Sequence, residues 1–272
     1  MTTVYITLGI LLALLVLYCL ALRGRRNHKM LRSLRGWGYA HRGLHGNGVP
    51  ENSMAAFRLA LENGYGIELD VHLMKDGKLA VIHDPSLKRT AGAEVMIEDL
   101  TAEDLASYHL EGTQEQIPLF ADVLALYAGK APLIIELKAE RNNHAALAEA
   151  VCDLMENYDG PYGLESFDPR VIHWLRKNRP CLCRGQLGEN FLRSPKSKLP
   201  IHLKFALTHH LENFLVRPDF VSYKFADRKI LGVWLARRIL GLQGVTWTIK
   251  NQADYDLAVK EGWIPIFEGF RP

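Results

Sequence analysis

Residues 67–84 read IELDVHLMKDGKLAVIHD, two apolar runs (67–71 and 79–84) joined by a short polar turn. A parallel crossover needs a dozen or more residues, so the second run must return antiparallel to the first. Asp-Gly is the signature of a tight hairpin. A turn centred between Asp76 and Gly77 places Asp70 across from His83. This hairpin settles the strand count. Strand-like runs occur at 38–43, 67–71, 79–84, 133–137, 162–167, 182–187, 219–223, 244–249 and 264–267. Without the return run at 79–84, eight remain. Amphipathic helices are expected between most of them: 53–63 (stopping at Gly64), 101–108, 119–128, 143–157, 168–178, 228–240 and 251–261. Alternating strands and helices over this length predict an α/β fold, a (β/α)8 TIM barrel. In such a barrel the catalytic face lies at the C-terminal ends of the strands.

The barrel is expected over 37–272 of the 272 residues, a length that buries a core without disulfide or metal staples. The four cysteines, Cys19, Cys152, Cys181 and Cys183, show no disulfide framework or zinc spacing and fit a reducing compartment. Residues 2–22 carry no charge. A helix of that length crosses the hydrocarbon core. The basic residues follow it, in Arg23, Arg25, Arg26, Lys29, Arg32 and Arg35, rather than preceding it as in a cleaved signal peptide. Residues 1–22 are therefore read as a transmembrane anchor and 23–36 as a basic juxtamembrane linker. The positive-inside rule puts the barrel on the cytoplasmic side of the membrane. Much of the net charge of +3 sits in that linker, so nucleic acid is not an implied partner. The oligomeric state is not legible in the sequence.

Strand alternation turns Glu68 and Asp70 to one face of 67–71, and Glu136 and Lys138 to one face of the IIELK strand. Buried acids need counter-charge. Three carboxylates from two strands suit a hard divalent cation, Mg2+ or Ca2+. His41 ends the first strand, and Arg42 after it is a natural phosphate or carboxylate clamp. With His83 nearby, two histidines beside a carboxylate-bound metal suggest a general acid and a general base working across one phosphorus. His45, His72, His209 and His210 lack such support and are read as surface or supporting residues.

The segment AHRGLHGNGVPENSMAAFRLALENGYGIELDVHLMKDGKLAVIHDPSLKRT resembles the signature of the glycerophosphodiester phosphodiesterases: His-Arg-Gly, Pro-Glu-Asn-Ser, Glu-x-Asp-Val, Asp-Gly and His-Asp, in order. IELK at 135–138, SFDP at 166–169 and VTWTI at 245–249 extend the likeness. The resemblance implies a phospholipase-C-like phosphodiesterase barrel and a metal-dependent hydrolase releasing an alcohol and sn-glycerol 3-phosphate. It implies His41 and His83 as acid/base pair, Glu68, Asp70 and Glu136 as metal ligands, and Arg42 and Lys138 on the phosphate. Glu51 and Asn52 would line the substrate side, and Trp247 would wall the glycerol pocket. It also implies attack by the substrate's own glycerol hydroxyl, giving a cyclic phosphate that water opens. One element departs: the last strand ends in IFEGFRP, with Glu268 and Gly269, where the family usually has a Thr-Asp-x-Pro-like element.

A second reading, a lysophospholipase D acting on lysophospholipids at the bilayer, uses the same residues. A third, a non-catalytic binding protein that kept the barrel, predicts a broken catalytic set, whereas both histidines and all three acids are in place. The segment after His83 is too modest for a large inserted domain, and 188–200 is read as a solvated basic surface loop, in preference to a mobile loop near the pocket.

Overall fold

The structure, a computed structural model, describes residues 1–195 and 197–272. Nine strands form one sheet: β1 (Tyr39–His41), β2 (Gly66–Leu73), β3 (Leu79–Val81), β4 (Leu133–Leu137), β5 (Tyr162–Ser166), β6 (Arg184–Gly188), β7 (Phe220–Lys224), β8 (Gln243–Ile249) and β9 (Trp263–Phe267). Eight run parallel and close through β1–β9 and β1–β2 into a barrel, while β3 lies antiparallel on the far end of β2. This is the expected TIM barrel. The hairpin register differs from expectation by one residue. Val71 pairs with Val81 and Leu73 with Leu79, and the Ile82 amide donates to the Asp70 carbonyl. Asp70 therefore faces Ile82, not His83. The cause is Gly77, whose φ of 81° makes a three-residue loop of Lys75–Gly77.

Each barrel strand alternates between the helical layer and the lumen. Ile67, Leu69, Val71, Leu133, Ile135 and Leu164 pack outward in the main core. In the lower lumen, Tyr39, Ile134, Cys183, Phe220, Val245 and Ile264 form a second cluster, closed from below by Leu31 and Leu34. Gly163 and Gly185 make room for the Phe220 ring: a Cβ at Gly185 would stand 2.0 Å from it. The upper positions of the same strands carry His41, Glu68, Asp70, Glu136 and Glu165. One strand face is thus apolar at one end and ionisable at the other.

Residues 23–36 are docked beneath the barrel. Arg25 grips the buried Asp219 carboxylate at 2.5 and 2.7 Å, and a short helix, Met30–Leu34, supplies the plug. Two expected helices take other forms. Residues 101–108 hold only a 3-10 turn, Asp104–Ser107. The buried leucines in and flanking this segment, Leu100, Leu105 and Leu110, recur every five residues, a spacing no α-helix keeps on one face. They belong to a small separate core between β3 and β4, built on Met74, Ile82, Leu87 and Ile97. The expected helix 228–240 becomes a short α-turn, Leu231–Trp234, that widens into a π-helical turn over Leu235–Ile239. Helices not read from the sequence include Ile201–Thr208 and Asn213–Val216. The expected loop 188–200 includes Lys196, which lies outside the described residues. Helix Thr2–Ala21 is long and apolar enough to cross a membrane, and residues 2–17 of it stand exposed.

If the plug belongs to the barrel core, Leu34→Ala lowers stability by about 2–5 kcal/mol, the usual cost of emptying a buried leucine site. Urea unfolding of the detergent-solubilised chain measures this, and an unchanged midpoint would show that 30–34 is a dispensable linker.

Candidate active site

The loop after β1 is folded back on the lumen. Arg42 and Asn52 are both held at positive φ, 54° and 52°, a left-handed conformation costly for residues with a Cβ. The Asn52 amide donates to the Arg42 carbonyl at 2.9 Å, closing the loop, and Ser53 Oγ then caps helix Met54–Glu62 by accepting from the Ala56 amide. Gly43 permits the close packing: a Cβ there would meet Ala56 Cβ at 2.8 Å. The strain delivers two side chains to one carboxylate. Asn52 Nδ2 donates to Asp70 Oδ2 at 2.9 Å, and Arg42 Nε stands 3.5 Å from the same oxygen.

Glu68, Asp70 and Glu136 offer oxygens within 4.8 Å of one another, all buried. Glu165, on β5 beside Glu136, adds a fourth buried carboxyl. Two cations face them. Lys138 Nζ lies 3.0 Å from Asp70 Oδ1 and 2.8 Å from Glu136 Oε2; Arg42 donates its amide to Glu68 Oε2 at 3.2 Å. The charge is unevenly shared. Lys138, Arg42 and Asn52, with His83, hold Asp70 well below the usual carboxylate range against the cost of burial. Burial and the neighbouring charges of Asp70 and Glu136 push Glu68 well up. Burial, opposed by Lys138, pushes Glu136 up to about 7, and burial beside Glu136 raises Glu165 well above its usual value. The donor set is all hard oxygen, and the four carboxyls outnumber the two cations facing them, so Glu68, Asp70 and Glu136 fit a divalent cation such as Mg2+ or Ca2+.

Both histidines are backed by carboxylates. His41 Nδ1 lies 2.7 Å from Glu268 Oε2, and His83 Nδ1 lies 2.6 Å from Asp84 Oδ1. An ionised carboxylate only accepts, so each Nδ1 carries the proton and each Nε2 is left as the free basic nitrogen. Burial lowers both imidazole pKa values against the pull of the neighbouring carboxylates, which favours the neutral form able to take a proton. His41 Nε2 stands 3.9 Å from Glu68 Oε2. Arg89, from the segment after β3, donates to Asp84 at 2.5 Å and to Glu51 at 2.6 Å, and Glu51 in turn accepts from Arg42 at 2.8 Å. One chain of charges thus ties His83 to the β1 loop.

A cavity of about 140 Å3 opens between these groups, lined by His41, Arg42, Glu68, His83, Glu136 and Glu165, with Phe167 and Trp247 as its aromatic wall. The two rings meet edge to face at 5.7 Å. Glu165 Oε2 and Trp247 Nε1 are buried without hydrogen-bond partners among the described residues. The structure therefore brings His41, Arg42, Glu68, Asp70, His83, Glu136, Lys138 and Trp247 to one place, with Asn52 bonded to Asp70 and Glu51 engaged by two arginines. Sequence reasoning missed Asp84, Arg89, Glu165 and Glu268. Glu165 and Glu268 had a signal: each continues the inward alternation of its strand, after Gly163 and after Ile264 and Ile266. Arg89 had none, because its partners meet only across the loop. Of the other histidines, His72 and His210 are fully buried rather than superficial, paired with Glu98 and Glu212.

The profile of the Glycerophosphoryl diester phosphodiesterase family matches residues 41–268. A glycerophosphodiester phosphodiesterase of Bacillus altitudinis is 41% identical over 204 residues, covering 71% of this chain and 83% of the relative. Another from Caldanaerobacter subterraneus is 28% identical over 233 residues, covering 82% and 89%. Among solved structures, an Oleispira antarctica phosphodiesterase in complex with the product sn-glycerol 3-phosphate superposes with a TM-score of 0.70 at 21% identity, covering 85% of this chain and 92% of that one. That likeness carries the fold.

The His41–Glu268 contact has a measurable pH signature. The hydrogen bond from His41 lowers the Glu268 carboxyl to about 2, against some burial. A carboxyl depressed on folding stabilises above its ordinary pKa and loses that contribution as pH falls through the folded value. The gap in Tm between the wild type and Glu268→Gln is therefore expected to be widest above pH ~4.5 and to close by pH ~2. The effect is small because Glu268 is partly exposed. A gap independent of pH would show that the contact is not formed in solution.

Proposed function

The chain belongs to the glycerophosphoryl diester phosphodiesterase family, and we propose that it hydrolyses glycerophosphodiesters to an alcohol and sn-glycerol 3-phosphate with His41 and His83 as its acid/base pair. It is an enzyme, a phosphoric diester hydrolase. The reading of the two histidines rests on one observation: both line the same small cavity as Glu68 and Glu136, each with its Nδ1 held by a carboxylate.

In this reading Arg42 and Lys138 bind the phosphodiester oxygens. Trp247 packs against the glycerol, and its N–H and the Glu165 oxygen, both without partners among the described residues, supply hydrogen-bonding capacity for hydroxyl groups. One histidine, entering the step neutral, takes the proton of a glycerol hydroxyl on its Nε2 as the hydroxyl attacks phosphorus. The other, entering as the imidazolium that its carboxylate partner stabilises, gives its Nε2 proton to the departing alkoxide. The roles reverse when water opens the cyclic phosphate. A divalent cation held by Glu68, Asp70 and Glu136 would supply charge neutralisation at the phosphoryl oxygens and lower the pKa of the attacking hydroxyl. Glu268 and Asp84 keep each imidazole in the tautomer this needs.

Residues 1–22 are proposed as a single membrane span, with the barrel domain 37–272 on the cytoplasmic side; the basic residues following the apolar helix support that orientation. A specific feature favours a second substrate class, lysophospholipids. A groove of about 500 Å3, lined by Phe167, Phe191, Leu199 and Pro200 among others, shares Phe167 with the catalytic cavity and offers a path for an acyl chain.

The full chain in detergent, assayed on glycerophosphocholine and glycerophosphoethanolamine, should release glycerol 3-phosphate with Mg2+ or Ca2+ and stop on chelation. His41→Ala and His83→Ala should each lower kcat by about 10²–10⁴. Failure to turn over any glycerophosphodiester would refute the activity, and turnover insensitive to chelation would refute the cation. Rates rising with acyl length across a lysophospholipid series would favour the second class. Digestion of the intact barrel by protease added outside sealed cells would reverse the topology.

A further inference from the structure

We propose that the barrel flank formed by residues 201–208 and 231–240 is a lipid-docking surface, seated in the headgroup layer of the bilayer that helix Thr2–Ala21 crosses. The inference rests on the reading of that helix as a span.

The first support is geometric. The helix is not a stalk held clear of the barrel. Tyr18 OH lies 2.7 Å from His209 Nδ1, Leu22 is buried, and its carbonyl accepts from Asn213 Nδ2 at 3.1 Å. Leu15, Val16, Cys19 and Leu20 form one wall of a groove of about 590 Å3 whose other side includes Leu240, with Arg23 and Arg26 at its end. A 20-residue helix is about 30 Å long, the thickness of the hydrocarbon core. Its final turns cannot be withdrawn into water without leaving the rest too short to span. Elements of the barrel that touch residues 15–22 are therefore carried to the membrane surface.

The second support is chemical. The flank is apolar where a soluble barrel would be polar. Ile201 is 71% exposed and Leu231 57%, and Phe205, Trp234 and Ile239 stand out beside them. The two segments are one surface: Phe205 lies 4.5 Å from the His209 ring, and Gly232 packs so close to His209 that a Cβ would meet its carbonyl oxygen at 2.4 Å. Arg23 and Arg26 line the same groove as Leu240, and Lys204 and Arg238 belong to the two segments themselves, basic residues that suit anionic headgroups. Apolar side chains with a tryptophan and flanking basic residues are the composition of an interfacial segment. A bilayer is the occupant because the patch adjoins the end of the span itself. Helix 201–208 also follows directly on Leu199 and Pro200 of the groove beside the catalytic cavity, so docking would bring that groove to the lipid surface.

The test uses the full chain reconstituted in phosphatidylcholine/phosphatidylglycerol vesicles, with and without acyl chains brominated near the headgroup. Bromolipid should quench tryptophan emission, and the quenched component should disappear in Trp234→Phe, an exposed and conservative change; the other four tryptophans lie outside the two segments, and Trp263, which stacks on Arg237, is buried. Loss of quenching in Leu231→Glu, with Trp234 retained, would show that the whole segment has left the lipid. If the protein floats with the vesicles after alkaline carbonate washing but quenching is absent, or is unchanged in Trp234→Phe, the docking surface is refuted while the span stands. If it does not float, the span itself is refuted and the docking surface with it.

Discussion

Four carboxyl groups are packed into the upper lumen of the barrel against, among the described residues, the two cations Arg42 and Lys138, and the site is organised around that imbalance. The barrel register forces it: Asp70 is beside Glu136, and Glu136 beside Glu165, on adjacent parallel strands. Strands stand about 4.8 Å apart, so these charges cannot separate without breaking the barrel. The chain responds with local cost. Arg42 and Asn52 accept left-handed backbone so that both reach Asp70, and Lys138 is buried as a bridge between two acids. Glu68, Glu136 and Glu165 remain under-compensated, leaving the lumen poised for added positive charge.

The cost is carried by an apolar foundation on the same strands. Below the acids the inward positions become Tyr39, Ile134, Phe220 and Ile264, and the plug at Leu31 and Leu34 keeps water from that end. The segment after β3 has its own small core, so that His83, Asp84 and Arg89 are presented by packed structure rather than a loose loop. The two imidazoles approach from opposite ends of the chain's signature, and each is fixed by a carboxylate supplied from a different place: Asp84 from the next residue, Glu268 from the last strand.

Much of this was legible beforehand. The eight barrel strands, the hairpin and the grouping of His41, Glu68, Asp70, His83 and Glu136 follow from period-two alternation and from Asp76-Gly77. The same hairpin shows the limit. A glycine at positive φ can close either a two- or a three-residue loop, and that single residue moved the partner of Asp70 from His83 to Ile82. Residues 101–108 misled because helix-forming composition is cheap, whereas five-residue spacing of buried leucines is decided by the core they join. Residues 23–36 read as a linker by charge, yet Arg25 is consumed by Asp219 and Leu34 by the barrel floor.

The sequence by itself determined the barrel class, the inward face of each strand and the central histidines and acids at its mouth, because alternation and turn chemistry are local properties. Only the tertiary structure decided which charges share an oxygen, which histidine nitrogen is free, how Glu268 serves His41, and where the apolar helix meets the flank of the barrel. Those depend on distances between residues far apart in the chain. No local pattern records them, since they exist only once the strands have closed on one another.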